Sequence, residues 1–298
     1  IYNNKTLMKK HISTIFIFTI CKITFAQNIN TTTNKILFAS NENKIATSTS
    51  YITKAANIVF PNVLKGNEEQ TIDYIEKFAK NRREYLVRMN NKSKKYFPKV
   101  SKILSKKNLA KEYQVLLALE SAFNGNVVSS AGAVGYWQIM DEVAQEYGLT
   151  YEPQITAEEK KKLELAQKTI KPTIELNTKK NAIKDDRKNF IKSTNAAARY
   201  LKDRTKNLNN NMLLIVASYN CGVGNVWSAI KKSGVSNASF WDIKKYLPQE
   251  TQTYVMNFIT LNVIFNNYQK FANNTLTYKA EKIKIVTETR IDTKEISE

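Results

Sequence analysis

The stretch Leu116–Met140 has the sequence LLALESAFNGNVVSSAGAVGYWQIM and places a carboxylic acid on the apolar face of a predicted helix. Spacings of four and three residues define that face, which contains Leu109, Tyr113, Leu116, Glu120 and Phe123. A buried glutamate without a cationic partner has a raised pKa and can donate a proton near neutral pH. The alternative for Glu120 is an ordinary helix residue that is held in an ion pair.

The second half of this stretch predicts one wall of a cleft. The helix is expected to end at Asn124-Gly125, before a loop of small residues from Ser129 to Gly135. Glycines such as Gly132 and Gly135 suit tight turns. The aromatic pair Tyr136-Trp137 follows the loop directly. The sequence therefore predicts an acid at the edge of a cleft that a turn and aromatic rings help to form.

The composition describes a globular, basic protein. The chain has 298 residues, of which 42% are hydrophobic, so it can bury a large core. Its net charge of +20 would favour an anionic polymer, but lysine and asparagine are abundant along the whole chain, and a biased composition explains the charge as well. We therefore predict no nucleic-acid partner. The sole histidine, His11, and Cys21 lie in a predicted signal peptide, and Cys221 alone cannot build a zinc cluster, so we predict no metal and no cofactor.

Residues 1–26 have the pattern of a secretory signal peptide. Basic residues precede an apolar run from Ile12 to Phe25, and the small residue Ala26 follows. Cleavage after Ala26 would remove four lysines and no acids, which lowers the net charge from +20 to +16. A lipoprotein site at Cys21 is the alternative, although the bulky Ile20 precedes that cysteine. We expect an exported protein, in the periplasm or associated with the outer membrane of a Gram-negative-type bacterium.

Helical patterns dominate the rest of the chain and predict an all-α fold. Residues 27–66 are expected to form a flexible lead-in, residues 67–94 a strap helix, residues 95–272 the main domain and residues 273–298 a tail. A break in the helical structure is expected at Tyr96-Phe97-Pro98. Residues 150–186 form a Lys/Glu-rich insertion of unknown role.

Four short motifs carry a resemblance to a known family. They are Glu120-Ser121, GAVGYWQIM at Gly132–Met140, ASYNCGVG at Ala217–Gly224 and ETQTYV at Glu250–Val255. In this order they resemble the soluble-type lytic transglycosylase domain, and the pairs Asp186-Arg187 and Phe240-Trp241 are similar to its membrane-bound lytic murein transglycosylase D branch. The resemblance covers roughly residues 95–272 and implies a helical, lysozyme-like domain with a substrate cleft. The chain departs from the family at Gly125 and Asp141, where proline is common.

The resemblance also implies roles for individual residues. Glu120 matches the single catalytic acid, and Tyr219 and Asn220 match a pair that faces this acid. Further residues implied in substrate binding are Ser129, Gln138 and Met140, with Tyr136 and Trp137 as faces for sugar rings. The alternative for Trp137 is a residue buried in the core. Residues with structural roles in the motifs are Ser121, Gly132, Gly135, Gly222, Gly224, Glu250 and Tyr254.

The activity that the resemblance implies is cleavage of the β-1,4 bond between N-acetylmuramic acid and N-acetylglucosamine, with formation of a 1,6-anhydro end. Glu120 would act as acid and then as base, with no second acid near the same sugar. The partner would be the glycan strands of peptidoglycan, the protein would be a monomer, and a peripheral or lipid association with a membrane stays open. Two alternatives remain: a goose-type lysozyme that hydrolyses the same bond, and a non-catalytic protein that binds wall glycan.

Overall fold

The computed structural model describes residues 44–151, 153, 161, 162, 165 and 184–291. The predicted signal peptide, Cys21 and most of the insertion lie outside the described residues. The described residues divide into two compact units, one within residues 55–281 and one of residues 44–54 with 282–291. Within the part that the structure describes, strands β1 (Lys44–Lys54) and β2 (Glu281–Ile291) pair in a two-stranded sheet.

Helices make up most of the larger unit. In chain order the α-helices are α1 (Glu68–Asn81), α2 (Arg83–Ser105), α3 (Leu116–Ser121), α4 (Asp141–Glu146), α5 (Phe190–Asn207), α6 (Met212–Cys221), α7 (Val223–Ser233), α8 (Phe240–Ile243), α9 (Gln249–Asn266) and α10 (Tyr268–Ala272). Short 3-10 helices lie at Asn62–Leu64, Lys111–Val115, Asp186–Lys188 and Lys244–Tyr246. The all-α class predicted from the sequence is confirmed. No helix among the described residues has the length and apolar character needed to cross a bilayer.

Helices α6 and α9 form the centre of the core. Both are apolar around most of their circumference, as expected for helices that neighbours cover on all sides. They pack against each other, and α1 packs on α9 while α5 and α7 pack on α6. Helices α1 and α2 are instead amphipathic, and they bury Ile75, Leu86 and Leu104 completely. The core therefore surrounds α6 and α9, whose ends carry the third and fourth motifs.

The predicted helix boundaries between residues 67 and 116 are partly wrong. The break lies at Arg82 and not at Tyr96-Phe97-Pro98, because α2 continues through Pro98. A proline inside a helix removes one backbone hydrogen bond. Here the helix buries Met89 before the proline and Val100 after it, and this packing keeps both halves in place. The boundary predicted at residue 94 falls inside α2.

Residues 55–66 belong to the larger unit, although the sequence placed them in a flexible lead-in. Phe60 and Leu64 are buried in the core. Asn267 ties this segment to the end of α9, since its Oδ1 accepts from the Val59 N–H at 3.0 Å and its Nδ2 donates to the Val59 carbonyl at 2.7 Å. A polar composition alone did not reveal these two apolar anchors.

The two ends of the insertion meet through two hydrogen bonds between Thr150 and Asp186. The N–H of Asp186 donates to the Thr150 carbonyl at 2.8 Å, and the N–H of Thr150 donates to Asp186 Oδ2 at 3.2 Å. The Lys192 ammonium also contacts Asp186, at 2.8 Å. The main domain is thus continuous across the insertion.

Candidate active site

Glu120 lies in the last turn of the short helix α3. The helix is anchored because Leu116, Leu117 and Ala118 are buried. It ends where Ala122 and Phe123 adopt left-handed backbone conformations, with φ of 48° and 65°. The helix is shorter than the apolar spacing from Leu109 predicted, because Asn108 is left-handed, with φ of 52°, and the 3-10 helix Lys111–Val115 comes before α3. Glu120 is partly buried.

Burial raises the pKa of Glu120 from 4.5 to about 7. The Tyr254 hydroxyl donates a hydrogen bond to Glu120 Oε1, which opposes this increase, and the negative charge of Glu250 adds to it. A group with this pKa is protonated in part of the molecules at neutral pH. Glu120 can therefore both donate and accept a proton there.

The loop after Glu120 is closed by backbone hydrogen bonds. Val134 forms antiparallel bridges with Val128 and with Ile139. The hydroxyl of Ser129 accepts from the Ala133 N–H at 3.0 Å, so its oxygen helps to hold the loop. Gly132, with φ of 88°, completes the turn that begins at Ser129. The loop is joined to α3 where the Ser121 hydroxyl donates to the Tyr136 carbonyl at 2.8 Å.

Gly135 is needed where the loop meets the chain after the insertion. Its φ is 84°, and a Cβ there would lie 2.1 Å from the Arg187 carbonyl oxygen. Arg187 is fully buried and pairs with Asp185 at 2.8 Å and with Asp141. The departure from the family at Asp141 thus supplies a partner for a buried cation. Arg187 Nη1 also contacts the Ile139 carbonyl, at 3.4 Å, which fixes the end of the loop.

The third motif faces the loop from the end of α6. The Tyr219 hydroxyl donates to the Trp137 carbonyl at 2.8 Å. Burial, with a further contribution from the Glu120 charge, raises the pKa of Tyr219 well above its usual value. Asn220 Oδ1 accepts from the Thr251 hydroxyl at 2.6 Å, and its Nδ2 donates to Glu250 Oε1 at 3.4 Å. The third and fourth motifs are thus joined through side chains.

A pocket of about 240 Å³ lies between the loop and the third motif. Five of the predicted site residues line it, namely Gln138, Met140, Tyr219, Asn220 and Gly222. Two of the other lining residues, Tyr200 and Glu142, are polar and were not predicted from the sequence. Tyr200 packs edge-on against Tyr219, with ring centroids 5.5 Å apart, and Glu142 lies on α4. Glu120 is not among the residues that line this pocket, although its charge affects Tyr219.

The side chain of Gln138, which the resemblance implied in substrate binding, donates its hydrogen bonds to the loop itself. Its backbone is left-handed, with φ of 46°. Its Nε2 donates to the carbonyls of Gly135 and Val127 at 3.0 and 3.2 Å. The loop therefore uses the amide donors, and Oε1 remains to accept a hydrogen bond from a ligand.

The two aromatic residues predicted as sugar platforms do not line the pocket. Trp137 is fully buried, and its Nε1 donates to the Thr194 hydroxyl at 2.9 Å, so it is a core residue. Tyr136 is partly exposed but packs against Tyr96 and Phe190, with centroids 5.8 and 5.3 Å away. Its ring also lies against Gly125, where a Cβ would be 2.5 Å from the ring, which gives a reason for glycine at that departure from the family.

The fourth motif is closer to the acid than its predicted structural role implied. Tyr254 contacts Glu120, and Glu250 is near enough for its charge to raise the Glu120 pKa. The expected lone acid thus has a second carboxylate in its surroundings. No contact requires glycine at Gly224, where a Cβ would meet open space. Spacing along the sequence could not reveal these contacts, because Glu120 and Tyr254 are 134 positions apart.

Comparisons with known proteins agree with the resemblance in the sequence. Residues 100–241 match the family model of the transglycosylase SLT domain. Membrane-bound lytic murein transglycosylase D of Escherichia coli K12 is 28% identical over 198 residues, which cover 66% of this chain and 37% of the relative. The same protein of Escherichia coli O6:H1 gives the same values. The chain therefore spans well under half of the length of the curated relatives that it matches.

Two solved structures are similar over a part of the chain. One is an inactive mutant of lytic transglycosylase Slt from Pseudomonas aeruginosa, with 20% identity, a TM-score of 0.41 and coverage of 61% of this chain and 25% of that one. The other is the 70 kDa soluble lytic transglycosylase from Escherichia coli, with 19% identity, a TM-score of 0.41 and coverage of 60% and 25%.

Proposed function

We propose, from the premise that residues 100–241 form a transglycosylase SLT domain, that the protein is a lytic transglycosylase acting on peptidoglycan. The observation that carries the proposal is Glu120, a partly buried carboxyl with a pKa of about 7 beside the loop of the second motif. The curated relatives that bear the name lytic murein transglycosylase support the substrate class.

In the first step, protonated Glu120 donates its proton to the glycosidic oxygen between N-acetylmuramic acid and N-acetylglucosamine. Tyr254 binds Oε1, so Oε2 is the oxygen available to the substrate. The leaving sugar departs with this proton, and positive charge develops at C1 of the muramic acid. General acid catalysis of this kind supplies about 100-fold to 10,000-fold in rate.

In the second step, the Glu120 carboxylate accepts the proton of the C6 hydroxyl of the same muramic acid. The C6 oxygen then attacks C1, which gives the 1,6-anhydro end and returns Glu120 to its protonated form. No water is consumed. The hydrogen bond from Tyr254 stabilises the carboxylate between the two steps, since it favours the ionised form.

The pocket beside the acid would hold a sugar next to the cleaved bond. Gln138 Oε1 can accept from an acetamido N–H, and Asn220 retains an amide N–H that can donate to a carbonyl. The ring of Tyr219 and the exposed thioether of Met140 add apolar contact in the same pocket. The loop around Ser129 would form the outer wall of the cleft.

A hydrolase of the goose-type lysozyme kind is the second candidate, and Glu250 is the observation in its favour. A second carboxylate near the acid could activate a water molecule, as inverting glycosidases do. In this structure Glu250 interacts with the Asn220 amide, and the Asn220 amide also interacts with Thr251. These contacts suit a residue that orients Asn220, and we therefore favour the transglycosylase.

Digestion of purified sacculi, with the products identified by mass spectrometry, tests the proposal. We expect muropeptides with 1,6-anhydro ends, and we expect the Glu120→Gln variant to release fewer of them by at least about 100-fold. Reducing ends in place of anhydro ends would establish the hydrolase. A Glu120→Gln variant as active as the wild type would instead support a non-catalytic glycan-binding protein.

The same premise places the protein in the cell envelope, because that is where peptidoglycan lies. An exported protein of the periplasm or the outer membrane fits the pattern of residues 1–26. We further propose that the protein acts as a monomer on glycan strands. Membrane fractionation of cells that express the wild type and a Cys21→Ala variant would separate a lipid-anchored form from a free periplasmic form.

A further inference from the structure

A second pocket, of about 220 Å³, lies between α2, the 3-10 helix Lys111–Val115 and α9. It shares no lining residue with the pocket at the candidate active site. Its polar lining includes Asn90, Ser93, Glu112, Asn262 and Asn266. We call it the Glu112 pocket.

Glu112 is a buried acid without a partner. Only 8% of the residue is exposed, and it forms no hydrogen bond or ion pair in the part of the chain that the structure describes. Lys111 also lines the pocket but is exposed and does not pair with this carboxylate. No basic side chain among the described residues pairs with this carboxylate, although the chain has 46 lysines and arginines against 26 acids.

Three polar side chains of the Glu112 pocket donate a hydrogen bond to a backbone carbonyl. Asn262 Nδ2 donates to the Phe258 carbonyl at 3.0 Å, and Asn266 Nδ2 donates to the Val59 carbonyl at 3.0 Å. The Ser93 hydroxyl donates to the Asn90 carbonyl at 2.7 Å. Each of these side chains keeps an oxygen that can accept. The pocket therefore presents acceptor oxygens beside the Glu112 carboxylate, while Lys111 and Gln114 bring donors to its lining.

Apolar side chains complete the walls. Phe97, Val115 and Phe265 line the same pocket. They offer contact to methylene groups, while the carboxylate and amide oxygens offer contact to N–H donors. A ligand that matches both parts has a compact cation with several donors on a short aliphatic chain. A metal ion would leave the apolar walls and most of the volume without a role.

We propose that the Glu112 pocket binds a primary alkylammonium group, whose N–H donors contact Glu112 and the side-chain oxygens of Asn262 and Asn266. The site is separate from the acid at Glu120 and does not depend on the function proposed for it.

Titration of the full chain with n-butylammonium chloride, followed by NMR of the backbone amides, tests the proposal. We expect saturable shifts at amides around Glu112 and Asn262. We expect affinity to fall by about tenfold or more in Glu112→Gln, which keeps the shape and removes the charge. Glu84→Gln is the matched control, because Glu84 is exposed on α2 and does not line the pocket, and this variant should bind as the wild type does.

A second comparison does not depend on any variant. n-Butanol has the same aliphatic chain without the cation, and it should give no saturable shift in the wild type at concentrations where the ammonium saturates. Equal binding of n-butanol and n-butylammonium, unchanged affinity in Glu112→Gln, or no saturation at all would overturn the proposal. Saturable binding of Ca²⁺ with no response to n-butylammonium would also overturn it, in favour of a metal site.

Discussion

The proposed mechanism needs Glu120 in its protonated form and then in its ionised form, and the surroundings of the carboxyl affect these two forms in opposite ways. Its pKa of about 7 means that the fold tolerates the protonated form better than the ionised form. The hydrogen bond from Tyr254 reduces this penalty, and the charge of Glu250 increases it. The proposed mechanism needs both forms in turn, so a carboxyl whose pKa lies near the working pH serves it better than one at 4.5.

The pKa of Glu120 predicts how stability depends on pH. The folded-state pKa of about 7 lies above the value of 4.5 expected for the unfolded chain. Between these values the folded protein binds more protons than the unfolded chain, so stability falls as the pH rises through this window. The free energy of unfolding falls by roughly 3 kcal/mol across this window. This decrease is complete above pH 7, where both states are ionised.

The Glu120→Gln variant should therefore be more stable than the wild type at pH 8 by a few kcal/mol and about equal to it at pH 4. The amide is neutral at both values and can still accept from Tyr254. Denaturant unfolding of both proteins at the two pH values measures this difference. A stability difference that is the same at pH 4 and pH 8 would show that the Glu120 pKa is not raised.

At the scale of elements, the loop from Val127 to Met140 depends on the segment that follows the insertion. Arg187 provides both the carbonyl that Gly135 approaches and the guanidinium that binds the Ile139 carbonyl. Its ion pairs with Asp185 and Asp141 offset the cost of burying its charge. Two segments on opposite sides of the insertion thus position the residues of the second motif.

Replacement of Gly135 by alanine should destabilise the protein by more than about 3 kcal/mol, because the new Cβ meets the backbone of Arg187 and φ is positive. Gly148→Ala is the matched control. Gly148 has φ of 68° but open space around its Cβ, so only the backbone strain of about 1–2 kcal/mol should apply. Urea unfolding of the two variants gives the comparison. Equal losses of stability in the two variants would mean that the loop moves away from Arg187 at no cost in free energy.

At the scale of the whole molecule, the larger unit contains the hydrophobic core. The residues that form it range from Phe60 to Phe271, with Tyr278 among the partly buried residues packed against them. All of them fall within residues 55–281. The candidate active site and the Glu112 pocket lie in the same unit.

A protein truncated to residues 55–281 should consequently fold, unfold in one cooperative transition and keep the activity proposed on sacculi. Its midpoint of thermal unfolding should match that of the full chain within experimental error, because the truncation removes no core residue of the part that the structure describes. Calorimetry and the sacculus assay on both proteins provide the measurement. A non-cooperative transition of the truncated protein would show that residues outside 55–281 contribute to the core.

The sequence by itself determined the helical class and the similarity of residues 100–241 to the transglycosylase SLT domain. These features follow from the periodicity of apolar residues and from local motifs, which depend on neighbours along the chain. The sequence also predicted that Glu120 would have a raised pKa, because that depends mainly on burial.

Only the tertiary structure decided which groups surround the acid. It placed Tyr254 and not Tyr219 on Glu120, buried Trp137 against Thr194 and used the Gln138 donors within the loop. It also left Glu112 unpaired in a pocket. Each of these outcomes depends on contacts between residues that are distant in sequence or on a left-handed backbone. The periodicity of apolar residues along the chain predicts neither of them.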